Sequence, residues 1–497
     1  MRHSILYAFF HLFASTSASN GTIPYQFHVS MASVKEGNFY LVDWVFPSPV
    51  SSQNTLLPQE ESTIAFGISS DSLNVFVMGR FNGFVPQNNE NTEFAACYSS
   101  IIPLSKFIGA SSVFYALIQL DAAKNVVKLS DTVQFVVPKP AGMRWAIFGD
   151  LGSSIQKKAS GISFPALLND FKNGVFQGIL NIGDLGYELV GANGKDYIES
   201  FIPMTQHIPM QTTVGNHEFI CAMGPLFSLH NYRTRFAGMG NGPGTASGSH
   251  SPQYYSFDSG KIHFIFLNSE VYGDEPYGYY TLQTGQMPVW VLSEETRKTD
   301  AIVQRDWLMN DLASVDRSKT SFIVLCMHRP PFKTPGPLET GGNGFARDIV
   351  PLLDQYRVNL MLTGHEHTSM IFNETQVLSG KYYFPKLIIV GAAGNNEYVR
   401  GRSMIETGSF HEALLIEKYG YGYLEETQNG LQICIGSTAS GEIKAPVPTA
   451  WTLQTCTTIP NPTSNPSSEP VKNPPAYKVA ETIQEMESMW TTWTTNG

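Results

Sequence analysis

Charge is scarce in this sequence. Only 15% of its 497 residues are Asp, Glu, Lys or Arg, against about 25% in an average soluble protein. The net charge is −10, with no long run of Lys or Arg. That excludes the basic footprint of sequence-independent nucleic-acid binding, and no nucleic-acid partner is expected. Cysteine is sparse as well: five, widely spaced, with no C-x-x-C pair. Neither a disulfide-dense scaffold nor a cysteine zinc finger fits. No stretch approaches the roughly 18 apolar residues of a spanning helix, so no transmembrane segment is expected. Neither G-x4-G-K nor G-x-S-x-G occurs, which removes P-loop nucleotide chemistry and serine-elbow hydrolysis.

What is present is a folded, strand- and loop-rich composition: 42% hydrophobic, 12% aromatic and 43 glycines. The length suits two or three domains at about 100–200 residues each. A basic start (Arg2, His3), an apolar run from Ile5 to Phe13 and small residues from Ala14 to Ser19 have the order of a secretory signal peptide over residues 1–19. Export follows as an expectation, to the extracellular space or the lumen of a secretory or lysosome-like compartment. Asn20 and Asn373 each head an N-x-S/T sequon and are candidate glycosylation sites. Cys326 reads as a buried free thiol within FIVLCMH, and Cys434 and Cys456 are candidates to pair.

Residues 20–140 carry short β-rich runs at Phe39–Phe46, Thr63–Ile68, Asn74–Met78, Val113–Leu120 and Thr132–Val137. Their spacing suggests an antiparallel sandwich without ligand-type clusters. The Pro138–Gly142 stretch reads as a linker. From Arg144 the pattern changes. Apolar runs Arg144–Phe148, Gly178–Ile182, Pro209–Val214, Phe322–Met327 and Val358–Thr363 each end in a short polar motif. Helical spacing appears over Phe164–Phe176 and Gln304–Val315. This alternation is α/β architecture, in which ligands bind at the carboxyl ends of strands. The catalytic region is expected over 141–445. A Pro/Ser/Thr-rich tail is expected over 446–497, with a short amphipathic helix over 478–493.

The motifs are G-D-L-G (149–152), G-D-L-G-Y (183–187), G-N-H-E (215–218), M-H (327–328) and G-H-E-H (364–367). Any one alone is weak. Five in order, each after an apolar run, deliver oxygen and imidazole ligands to one sheet edge. The set resembles the calcineurin-like metallophosphoesterases and, within them, the purple acid phosphatases. Gly152 at the end of the first motif and Tyr187 three residues after Asp184 make the narrower choice.

The resemblance implies a multidomain chain: an N-terminal all-β, fibronectin-III-like sandwich and a layered α/β/β/α metallophosphoesterase domain. It implies that Asp150, Tyr187 and His367 hold Fe(III), that Asn216, His328 and His365 hold a divalent metal (Zn, Fe or Mn), and that Asp184 bridges them. A tyrosinate ligand fits that choice, because only a strongly acidic ion displaces a proton of pKa about 10. The implied reaction is acid hydrolysis of phosphomonoesters by a metal-bound hydroxide. His217 would contact the phosphate and protonate the leaving group. Glu218 resembles an outer partner of His217. Where the family carries a further histidine in the loop after the fourth motif, this chain has Pro337 and Leu338. Lys333 is a candidate phosphate contact in that loop. The missing histidine keeps a second reading open, a phosphodiesterase or nucleotide pyrophosphatase using the same metals.

Overall fold

The computed structural model describes residues 25–34, 36–48, 62–88, 94–120, 125–152, 163–187, 189–219, 229–272, 294–331, 344–377, 380–394, 412–416, 419–438, 451–462, 487 and 492–494. The expected signal peptide, Asn20, Cys221 and Lys333 lie outside them.

Alternation of side chains in the apolar runs explains the two central sheets. In Ile262–Leu267, residues Ile262, Phe264 and Phe266 pack into one core, and Ile265 and Leu267 into another. Phe322–Met327 divides the same way, with Val324 and Cys326 on one face and Ile323 and Leu325 on the other. A strand buried on both faces must be apolar throughout, which is the signature of a covered parallel sheet. This sheet runs Tyr255–Ser259, Ile262–Leu267, Phe322–Met327, Leu360–Thr363, Lys386–Val390, Ser369–Phe372, Glu412–Ile416, and its inner strands are parallel. A second sheet runs Met210–Thr212, Gly178–Asn181, Arg144–Phe148, Gly420–Thr427, Gly430–Thr438, Trp451–Pro460. Its first three strands are parallel.

The two sheets face each other across a shared core in which Trp145 meets the rings of Phe257 and Phe264. Helices Phe164–Lys172 and Gly191–Thr205 cover one outer face, where Phe201 stacks on Phe148. Helix Glu294–Ser314 covers the other through Leu308 and Leu312. It begins ten residues before the apolar periodicity at Gln304, because its first turns carry EETRKTD, which is charged rather than apolar. The layered α/β/β/α expectation therefore matches the observed layers.

The N-terminal region is all-β. One sheet runs His28–Val34, Gly37–Ser48, Phe94–Ile101, Arg80–Pro86. The other runs Thr492–Thr494, Val75–Met78, Thr63–Gly67, Ser112–Leu120, Val126–Lys128, with Val133–Val136 also on Ser112–Leu120. Trp44 joins them, stacking on Tyr98 and donating from Nε1 to Ser62 Oγ at 3.0 Å. The region is bound closely to the α/β unit. Val29 pairs with Pro209 as a parallel bridge, Thr205 Oγ1 donates to Phe27 O at 3.0 Å, and Asp43 Oδ1 accepts the Gly238 N–H at 2.8 Å.

The C-terminal expectation needs correction. Trp451–Pro460 is a strand of the second sheet, pinned by the Cys434–Cys456 disulfide between directly opposed residues. The catalytic unit thus extends past residue 445. Thr492 and Trp493, the end of the helix expected over 478–493, belong instead to a strand, Thr492–Thr494, on Val75–Met78. Thr and Trp favour an extended edge, and here the side of Val75–Met78 away from Thr63–Gly67 supplies the partner. Cys326 is a buried free thiol, as expected. Among the described residues no helix is long and apolar enough to cross a membrane.

A buried ion cluster fixes helix Glu294–Ser314 to the sheet. His263 Nδ1 lies 2.7 Å from Asp258 Oδ1 and its Nε2 2.9 Å from Asp311 Oδ2, while Ser256 Oγ donates to Asp311. Burial alone would lower the pKa of this imidazole, but the two carboxylates outweigh it and push it up to about 10 from 6.5. Because the folded value is the higher one, the contribution is complete below the unfolded value and is lost as pH rises from 6.5 through about 10. The melting temperature of His263→Gln should therefore fall furthest below wild type near about pH 6, and the gap should narrow toward about pH 10. A gap that does not change with pH would refute the assignment.

Candidate metal centre

Each motif of the sequence lies at the carboxyl end of a parallel strand. Asp150 follows Arg144–Phe148, Asp184 and Tyr187 follow Gly178–Asn181, and Asn216–Phe219 is a short 3-10 turn after Met210–Thr212. His328 follows Phe322–Met327, and His365 and His367 follow Leu360–Thr363. A backbone hydrogen bond joins the strand ends of the two sheets, Gly149 N–H to Val390 O at 2.9 Å, while Ile182 N–H to Phe148 O at 2.7 Å and Gly364 N–H to His328 O at 2.8 Å hold neighbouring strand ends together within each sheet.

The local backbone is strained at the candidate ligands themselves. Asp150 (φ 57°), Asp184 (φ 54°), Tyr187 (φ 51°) and His365 (φ 67°) all adopt left-handed conformations. Such a conformation costs a non-glycine residue about 1–2 kcal/mol, and it clusters at functional sites. Two glycines make room. A Cβ on Gly215 would stand 2.2 Å from Asp184 Oδ1, and one on Gly364 2.6 Å from Asp150 Oδ2.

The side chains gather in two groups. In the first, Tyr187 Oη is 2.7 Å from His367 Nε2 and 3.4 Å from Asp150 Oδ1, and His367 Nε2 is 3.4 Å from Asp150 Oδ1. In the second, Asn216 Oδ1 lies 3.1 Å from His328 Nε2 and 3.0 Å from His365 Nδ1, with Asp184 Oδ1 3.2 Å from His328 Nε2. The backbone N–H of His365 donates to Asp150 Oδ2 at 2.8 Å and so links the groups. His328 Nδ1 faces Ile182 O at 2.9 Å. A carbonyl only accepts, so that nitrogen carries a proton and Nε2 is the nitrogen turned toward Asp184 and Asn216, the orientation outer hydrogen bonds give metal-binding histidines.

This donor set fits cations. Asp150 is fully buried, and Asp184 and Glu218 are 2% and 3% exposed. Burial would raise the Asp184 carboxyl, but the imidazoles of His328 and His217 outweigh it and hold it well below the usual carboxylate range. Burial resists charging His328, yet Asp184 and Asp150 push its pKa up to about 10. A buried crevice that enforces a protonated imidazole between oxygen acceptors is one that calls for positive charge. Asp184, His328 and His365 bring their ligand atoms within 4.8 Å of one another.

His217 is buried against the same crevice. Its N–H donates to Asp184 Oδ1 at 3.1 Å, its Nε2 is 3.9 Å from Asp184 Oδ2, and its ring lies 4.4 Å from that of Tyr187. Glu218, expected beside His217, instead accepts three backbone N–H groups: Asp184 (2.9 Å) and Gly215 (2.8 Å) on Oε2, and Leu185 (2.7 Å) on Oε1. It therefore shapes the turn that carries Asp184. Burial, then the charge of Asp184, raises its pKa to about 8. His230, in the helix His230–Arg235, turns its Nε2 to Phe84 O at 2.8 Å. Asn373 is exposed, and its Oδ1 accepts from Lys386 Nζ at 3.0 Å.

Sequence reasoning gave no role to a pair at the rim. Fully buried Glu270 accepts Arg329 Nε on both carboxylate oxygens at 2.9 Å, and Arg329 Nη1 is 2.9 Å from His365 Nε2. The available signal was the apolar run IHFIFL ending in Asn268-Ser269-Glu270, a strand end without the Asp or His of the other motifs.

Residues 143–369 match the family model of the calcineurin-like phosphoesterases. This part of the chain is a calcineurin-like metallophosphoesterase domain. Its relatives are acid and purple acid phosphatases. Acid phosphatase type 7 of Homo sapiens is 26% identical over 337 residues, covering 63% of this chain and 67% of that protein. Phosphoenolpyruvate phosphatase of Allium cepa is 24% identical over 423 residues, covering 81% and 76%. Purple acid phosphatase 23 of Arabidopsis thaliana is 30% identical over 215 residues, covering 42% and 40%. The solved purple acid phosphatase PPD1 of yellow lupin seeds shares the fold, with a TM-score of 0.56 at 14% identity over 88% of this chain and 74% of that one. This family implies a binuclear metal centre.

Replacing Glu218 by Gln puts an amide N–H₂ where one oxygen accepted, so at least one buried backbone N–H loses its acceptor. Glu218→Gln should cost about 1–3 kcal/mol in urea unfolding, and metal bound per chain should fall in elemental analysis.

Proposed function

We propose that the protein is a secreted acid phosphatase that hydrolyses phosphomonoesters at a binuclear Fe(III)–M(II) centre. The observation that carries this reading is the convergence of seven oxygen and imidazole side chains, in two groups, at the carboxyl ends of five parallel strands. Asp150, Tyr187 and His367 would hold the ferric ion. Asn216, His328 and His365 would hold the divalent ion (Zn, Fe or Mn), and Asp184 would serve both. When bound, the two ions supply Lewis acidity toward the phosphoryl oxygens and lower the pKa of water.

The chain's own residues do the rest. His217, held through its backbone by Asp184, presents its imidazole beside the candidate ligands. From there it can contact the phosphate and give a proton to the departing alkoxide. Glu218 fixes the turn on which Asp184 sits, which sets the ligand geometry before any ion or ester arrives. The burial of the crevice strengthens each of these interactions by excluding water. Secretion follows from the leader-like residues 1–19, with Asn20 and Asn373 as glycosylation sites. The two antiparallel sheets at the N-terminus are in keeping with a fibronectin-III-like module.

Metal-replete protein should hydrolyse p-nitrophenyl phosphate faster than bis(p-nitrophenyl) phosphate at acid pH. A dominant diester rate would replace the monoesterase reading with the phosphodiesterase one. Asp184→Asn should lower metal content and turnover by roughly 10²-fold or more. Tyr187→Phe should abolish a visible tyrosinate–Fe(III) absorption band. An active, colourless, zinc-only enzyme would overturn the ferric assignment alone.

A further inference from the structure

Arg329 immediately follows the candidate ligand His328 and is held on two sides. Its backbone N–H donates to Ser269 Oγ at 3.0 Å, and its Nε donates to both oxygens of Glu270. Glu270 is itself fixed. Its N–H donates to Asn268 Oδ1 at 3.0 Å, and the Asn268 N–H donates to Gln304 Oε1 at 2.9 Å, which ties this turn to the long helix. The carboxylate is fully buried, whereas the Arg329 side chain is 33% exposed. The guanidinium is thus anchored at its inner end and reaches water at its outer one.

Its outer end lies among the candidate ligands, with Nη1 2.9 Å from His365 Nε2. A guanidinium has only donors, so Nη1 donates to that ring nitrogen. With Nε clamped by Glu270 and Nη1 beside His365, the plane of the fork is fixed at the mouth of the crevice, and its planar donors suit phosphate oxygens.

We propose that Arg329, clamped by Glu270, is a substrate-phosphate contact that takes the place of the histidine absent from the loop after His328. It favours the dianionic phosphate of monoesters over the monoanion of diesters. The proposal rests on the phosphoesterase reading above for its substrate, but the anion site is tested separately.

The test uses metal-replete protein, wild type and Arg329→Ala, Arg329→Gln and Arg329→Lys. Inorganic phosphate binding is measured by calorimetry, metal content by elemental analysis, and kcat and KM for p-nitrophenyl phosphate and its bis ester. Arg329→Ala and Arg329→Gln should weaken phosphate binding about 30-fold, as loss of a charge-assisted pair does. Metal content should be unchanged, and monoester-over-diester selectivity should fall about tenfold. Arg329→Lys should recover part of the phosphate affinity as a point charge. The proposal is overturned if phosphate affinity changes less than about threefold with metals intact, or if metal content falls while phosphate affinity per loaded site is kept. That second result would make Arg329 a positioning residue for His365. If the wild-type holoprotein turns over neither ester while Arg329→Gln still loses phosphate affinity, the phosphoesterase reading fails and the anion site stands.

Discussion

Three carboxylates, Asp150, Asp184 and Glu218, are withdrawn from water within one crevice, and everything around them answers that cost. Glu218 is offset by three backbone N–H donors. Asp150 and Asp184 are met by imidazoles, a phenol and further N–H groups. Backbone donors can only be aimed this way if the turns adopt left-handed conformations, which is why four candidate ligands sit at positive φ. The strain is held by the sheets beneath, whose strands are buried on both faces and cannot relax without exposing a core.

The parts of this arrangement legible in the sequence are those that burial dictates. A doubly covered parallel strand must be apolar, and the polar residue that ends it is conspicuous. Hence Arg144–Phe148 and Phe322–Met327 appear as strands where their sequences place them. What stayed hidden depended on long-range partners. Glu218 adjoins His217 in sequence, but nothing local says that its oxygens cross to the turn at Asp184. Ile262–Leu267 passed unnoticed because Asn268-Ser269-Glu270 ends it without the Asp or His that marks the other strand ends, and with it went the partner of Arg329. Helix Gly191–Thr205 contains Gly191, Gly194 and Pro203, all poor helix formers. It persists because Tyr197, Ile198 and Phe201 are buried against the sheet. Trp451–Pro460 sits next to a Pro- and Ser-rich stretch and took on its linker-like look.

The all-β region is part of the same mechanical unit. Asp43 illustrates how. It lies 3.0 Å from His28 within the N-terminal sheets while accepting the Gly238 N–H from the α/β unit. Burial raises this carboxyl above its ordinary range, and the neighbouring His28 offsets only part of that rise. With Val29 bridged to Pro209, one residue before the strand that leads to Asn216, the N-terminal sheet buttresses the segment that supplies a candidate ligand.

The strand pairing of Thr492–Thr494 with Val75–Met78 bears on how the molecule is made. The all-β module takes an edge strand from residues that are made only after the α/β unit. Until that stretch emerges, Val75–Met78 presents open backbone donors and acceptors of the kind that recruits foreign strands. The pairing thus closes the all-β module with a strand that follows the whole α/β unit in sequence, so the two units are threaded through each other rather than strung in series.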